Sequence, residues 1–173
     1  MKSKIRILSL TLYKSNFIVS LSILFLLFLC FYIIWTPLFY LILEKWDITF
    51  MPTPNETLMT QPIYEQILLA VIIGPLIETL LSQKLVYKLL SLIKFLKQHK
   101  ILILILGALF FGILHFYSLS YIVYNVFMGF LFMYAYIVRI NKNPYWTVVA
   151  LHGLTNLFAI FIDPIEKIVF GVV

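Results

Sequence analysis

Three short stretches of this chain carry side chains able to do chemistry. They are "GPLIETLLSQK" with Glu78, "FGILH" with Phe111 and His115, and "HGLTN" with His152 and Asn156. In the last two, the paired residues are four apart and so project from one face of a helix. A Glu beside a His can hold and deprotonate a water, acting as general base in peptide hydrolysis. A second His next to an Asn amide can donate hydrogen bonds to the oxyanion of a tetrahedral intermediate. Alternatively, Glu78, His115 and His152 could ligate a divalent metal such as zinc and leave one position for water. The H-E-x-x-H zinc spacing is absent, so no metal is required. The plainest alternative is that the three groups only pair with one another and fix helix packing.

The elements that must position these residues are membrane helices. The chain is 63% hydrophobic and 12% charged, with a mean hydropathy of +1.05, well outside the range of soluble globular domains. Its 173 residues are read as a single integral membrane domain, 1–173. Spans of about 20 apolar residues fall at 17–43, 63–83 and 145–162. The uncharged stretch 101–138 is long enough for two more, divided at "YSLSY". The last span is expected to close at Asp163-Pro164. An ionised side chain at the bilayer centre costs about 2.5 kcal/mol or more, so Glu78 needs partners, and the two histidines on other helices can supply them.

Charge placement orients the bundle. With the N-terminus in the cytoplasm, the inner segments collect Lys2, Lys4, Arg6, Lys14, Lys84, Lys88, Lys94, Lys97, Lys100, Arg139 and Lys142. These are 11 of the 13 basic residues, as the positive-inside rule requires. The acidic, proline-bearing loop 44–61 then faces outward. Topology accounts for the net charge of +6, and no soluble basic surface suggests a nucleic-acid partner. The N-terminal apolar run is too long for a cleaved signal peptide and lacks a cleavage site, so it reads as a retained helix. Cys30 within it reads as a small packing residue. Residues 84–100, with Leu85, Leu89, Leu92 and Leu96 on one stripe and lysines on another, read as an amphipathic surface helix. The expected fold is all-α: a multi-pass transmembrane bundle of about five spans plus that surface helix.

Taken together the three motifs resemble the CPBP family of intramembrane proteases, which includes type II CAAX prenyl endopeptidases and bacteriocin-processing or immunity proteins. That family shows E-E-x-x-x-R, often after a proline, then F-x-x-x-H, then H-x-x-x-N, on successive helices. Here "PLIETLLSQ" retains Pro75 and Glu78, "FGILH" retains Phe111 and His115, and "LHGLTN" retains His152 and Asn156. The resemblance covers 63–162. It implies an intramembrane endopeptidase in which Glu78 and His115 activate water while His152 and Asn156 form the oxyanion site. Thr79, Gln83 and Phe111 take supporting or substrate-binding places. The implied substrate is a membrane-embedded or lipidated protein or peptide, and the implied location a bacterial cell membrane.

The departures are Thr79 for the second Glu and Gln83 for the Arg. They are four apart on a helix, so a Glu–Arg pair would be replaced by a neutral pair with no net change of charge. The same departures support an alternative reading, a catalytically inactive relative acting as an immunity or regulatory partner. A proton or ion pathway is a third use for Glu and His in a bundle. The spans also set a geometrical condition. A rise of about 1.5 Å per residue puts Glu78 and His152 within about 12 Å of their cytoplasmic helix ends, but His115 about 21 Å from Ile101. The site can assemble only if the helices are staggered, tilted or differently bounded.

Overall fold

The computed structural model describes residues 2–39, 46–53 and 57–170, and every long element among them is a helix. In chain order these are α1 (Lys2–Lys14), α2 (Phe17–Leu38), α3 (Ile63–Leu90), α4 (Lys94–Gln98), α5 (Lys100–Leu114), α6 (Leu119–Val138) and α7 (Pro144–Phe170). Four are long and apolar enough to cross a membrane: α2, α3, α6 and the Pro144–Glu166 part of α7. The fold is an all-α membrane helix bundle. α5 is a shorter apolar helix of 15 residues, or about 22 Å. It stops short of the roughly 30 Å hydrocarbon core.

Local chemistry sets the ends. Asn16 caps α2 by accepting from the Val19 N–H at 2.9 Å, and Ser118 caps α6 by accepting from Tyr121 N–H at 3.2 Å. Side-chain caps of this kind satisfy backbone donors that the first turn leaves unpaired. Before α7, Asn143 takes a positive φ of 55°, which asparagine tolerates better than most residues. Pro144 then opens the helix, where its missing N–H does no harm. The "YSLSY" break falls where the sequence suggests, between α5 and α6.

Three expectations need correction, and one element is added to them. The surface helix over 84–100 is divided: 84–90 continue α3, 91–93 turn, and only Lys94–Gln98 form a separate short helix. The reason is packing. Tyr87 lies against Tyr136 with ring centroids 5.4 Å apart, and Lys84 Nζ sits 5.2 Å over the Tyr145 ring, so this segment stays docked on the bundle. The basic N-terminal head, read only as a charge signal, is itself a helix. Arg139 fastens it, donating from Nη1 to the carbonyls of Leu12 and Ser15 at 3.0 and 2.8 Å. α7 does not stop at Pro164 but runs through it. Proline is tolerated inside membrane helices, and the extension is tied back where Tyr32 donates to Glu166. Cys30 is exposed rather than packed. It shares α2 with Ile33 and Ile34, each 70% exposed, on a helix apolar all round whose outer face meets lipid. The expected residues 40–43 of the first span, with Glu44, Lys45, Pro54, Asn55 and Glu56 of the following loop, lie outside the described residues.

The bundle has two chemically different ends. At one are α1, the C-terminal end of α3, Arg139, Lys142 and the start of α7, joined by the contacts above and by Lys142 over the Tyr13 ring. At the other, the loop after α2 folds onto the start of α6. Ile48 accepts from Leu119 N–H at 3.0 Å, and Tyr117 accepts from Phe50 N–H at 2.7 Å. Asp47 accepts from the Ser120 backbone N–H at 2.8 Å and from its hydroxyl. Burial pushes the Asp47 carboxyl up, but these bonds outweigh it and hold it below its usual value.

Candidate active site

Glu78, His115 and His152 meet. Glu78 Oε2 lies 3.5 Å from His115 Nε2 and 3.8 Å from His152 Nε2. The geometrical condition is met largely by the helix bounds. Because α3 runs to Leu90, Glu78 is twelve residues, about 18 Å, from its basic end. His115 caps α5 about 22 Å from Lys100, so the two depths nearly coincide.

Each side chain is oriented by the helix that carries it. His115 follows the last residue of α5, and its Nδ1 is 2.8 Å from the Phe111 carbonyl. Donation from Nδ1 to that oxygen selects the tautomer that leaves Nε2 as the lone-pair nitrogen facing Glu78. His152 is 5% exposed and lies between two aromatic rings, Phe132 at 4.6 Å and Phe111 at 5.8 Å between centroids. Its Nδ1 has no hydrogen-bond partner among the described residues. The Glu78 side chain is 40% exposed, open to a cavity of about 930 Å³ that Phe111, His115, His152 and Asn156 also line.

Pro75 explains where Asn156 sits. α3 is π-helical over Ile67–Ile73, and Gly74 N–H bonds to Leu69 rather than to Ala70. Ala70 therefore loses its α-helical donor. Its π-helical donor would be residue 75, and proline has no N–H. Asn156 Nδ2 fills the gap, donating to the Ala70 carbonyl at 2.8 Å. π-Bulges inside helices often occur at functional sites, and here one locks α7 to α3 beside Glu78. Asn156 thus uses one of its two amide donors in holding the helices together.

Thr79 and Gln83 are placed differently. Both are fully buried, neither lines the cavity, and Thr79 Oγ1 with both Gln83 amide atoms finds no partner among the described residues. A buried unpaired amide is destabilising by about 1–3 kcal/mol. Gln83→Met is therefore expected to hold or raise the thermal midpoint in detergent while leaving cleavage within a few-fold. A loss of activity without loss of stability would instead put Gln83 in substrate handling. Among the described residues no group of three His, Cys, Asp or Glu side chains is arranged to hold a metal ion. Sequence reasoning missed Phe132, which had nothing to distinguish it among 16 phenylalanines.

Neither curated proteins nor solved structures provide a match to this chain. Residues 60–158, more than half of its length, match the type II CAAX prenyl endopeptidase Rce1-like family. That stretch contains all three polar motifs, and by it the chain belongs to the type II CAAX prenyl endopeptidase Rce1-like family.

Proposed function

We propose that the protein is an intramembrane endopeptidase in which Glu78 is the general base. The observation that carries the reading is the convergence of Glu78 Oε2 on two imidazole nitrogens at the floor of an open cavity. Glu78 and His115 both lie within reach of a single water. In the reaction, Glu78 takes a proton from that water while its oxygen bonds to the carbonyl carbon of the scissile peptide. His115 accepts the second water hydrogen bond and fixes the attack direction. Charge develops on the carbonyl oxygen, where His152 and the remaining Asn156 donor stabilise it. Collapse breaks the C–N bond, and the proton held by Glu78 passes to the leaving amine.

The substrate is a membrane-embedded or lipidated protein or peptide, and the basic end of the bundle is read as cytoplasmic. The decisive experiment compares the membrane proteomes of cells carrying the wild type and Glu78→Gln. New protein termini present only with the wild type are expected; identical sets of termini would refute the proteolytic reading.

A further inference from the structure

The cavity has a direction and a sign. From its floor at Glu78 and His152 it is lined along α3 by Gly74, Ala70 and Glu65, and along α7 by Asn156, Asp163 and Glu166. Both walls run from the floor away from the basic end. Among the described residues no lysine or arginine lines it, whereas Asp47, Glu65, Glu78, Asp163 and Glu166 all do. These are all the carboxylates among the described residues. Tyr32, Trp35, Tyr117, Tyr121 and Tyr124 are interleaved with them. At the floor a second feature points to a ligand: the nine-tenths-buried His152 lines the cavity with its Nδ1 unpartnered.

We propose that this cavity receives an extended, cationic peptide segment entering from the carboxylate-bearing end, opposite the cluster of lysines. The inference rests on the proteolytic reading for what happens at the floor, but not for binding. Carboxylates in a cleft with low-dielectric walls focus the field and concentrate cations, and aromatic faces add cation–π attraction for Lys or Arg. Glu65 is thirteen residues up α3 from Glu78, about 20 Å, which an extended chain covers in about six residues. The preferred segment therefore has apolar residues next to the scissile bond and Lys or Arg about three to six residues from it. On the positive-inside orientation, it reaches the enzyme from the outer face.

The test uses full-length protein in phosphatidylcholine nanodiscs, which carry no net lipid charge. Two fluorescent ten-residue apolar peptides differ only in having two Lys or two Gln near one end. By anisotropy the Lys peptide is expected to bind at least tenfold more tightly. The preference should shrink as salt rises and vanish in the Glu65→Gln/Asp163→Asn/Glu166→Gln variant, whose amides keep an acceptor for Tyr32. Thr57→Lys, at an exposed position lining the mouth, should weaken the Lys peptide alone, and serves if the triple variant misfolds. Equal affinity for the two peptides in the wild type, or a preference untouched by both variants, overturns the proposal. Charge-selective binding without hydrolysis would refute the proteolytic reading and leave this one standing. Hydrolysis without charge preference would do the reverse.

Discussion

Glu78→Gln is expected to lower kcat/KM for peptide cleavage by about 10³-fold, in line with the 10²–10⁴-fold that a positioned general base contributes. The substitution keeps shape and hydrogen-bonding reach but removes the basicity that takes the proton from water. Stability should move the other way or not at all. An ionised carboxylate costs free energy at this depth, so the neutral amide is expected to leave the thermal midpoint unchanged or raise it. That pairing of outcomes separates chemistry from packing. If Glu78 only held the two histidines together, its loss would destabilise the bundle and leave no specific defect in turnover. On the proposed mechanism, in which Glu78 and His115 share one water, Glu78→Gln/His115→Ala should be hardly worse than either change alone. The measurement is a cleavage assay in proteoliposomes beside a thermal-shift curve in detergent. Full activity of Glu78→Gln would remove the mechanism.

The assembly of the site was legible because its parts are rare in their surroundings. A Glu and two His among leucines and phenylalanines in membrane spans have few other ways to be accommodated, and the model brings all three together at 3.5 and 3.8 Å. Their spacing of 37 residues in each case corresponds to passing from one helix to another. What was not legible is what depends on tertiary docking. Hydropathy marked the end of α3 at the first lysine, since Lys84 begins a basic stripe. Yet Lys84 and Tyr87 pack on Tyr145 and Tyr136, which carries the helix on to Leu90 and brings Glu78 to the depth of His115. Likewise Asp163-Pro164 reads as a stop, but the Tyr32–Glu166 contact favours continuation.

Pro75 marks the limit in another way. In the sequence it is a family marker and a possible interruption. In the fold its missing N–H, together with the π turn before it, leaves the Ala70 carbonyl to Asn156. The requirement for Asn156 is thus partly structural, a consequence no periodicity displays because it depends on which carbonyl lacks a donor. The same physical reasoning separates Thr79 and Gln83 from the cavity. They occupy motif positions, but they face the protein interior, where α3 packs on its neighbours.

The second large effect concerns Gly153, the glycine that follows His152 in its motif. A Cβ on Gly153 would lie 2.7 Å from the Val71 carbonyl oxygen, closer than any ordinary contact, and the obstacle is backbone. α7 would have to retreat from α3. That retreat stretches the Asn156–Ala70 bond and draws His152 away from Glu78. Gly153→Ala is therefore expected to destabilise by about 1–3 kcal/mol, the usual range for overpacking. Cleavage should fall further, by about 10²-fold, since a misplacement of about 1 Å at a catalytic group has that effect. Gly107→Ala is the matched control. There the added methyl meets only the side chain of Met133, closest at its terminal Cε, and a flexible thioether can move aside. Its activity should stay near that of the wild type. If the two alanine variants behave alike in both thermal midpoint and turnover, close α3–α7 contact at Gly153 is not what holds His152 in place.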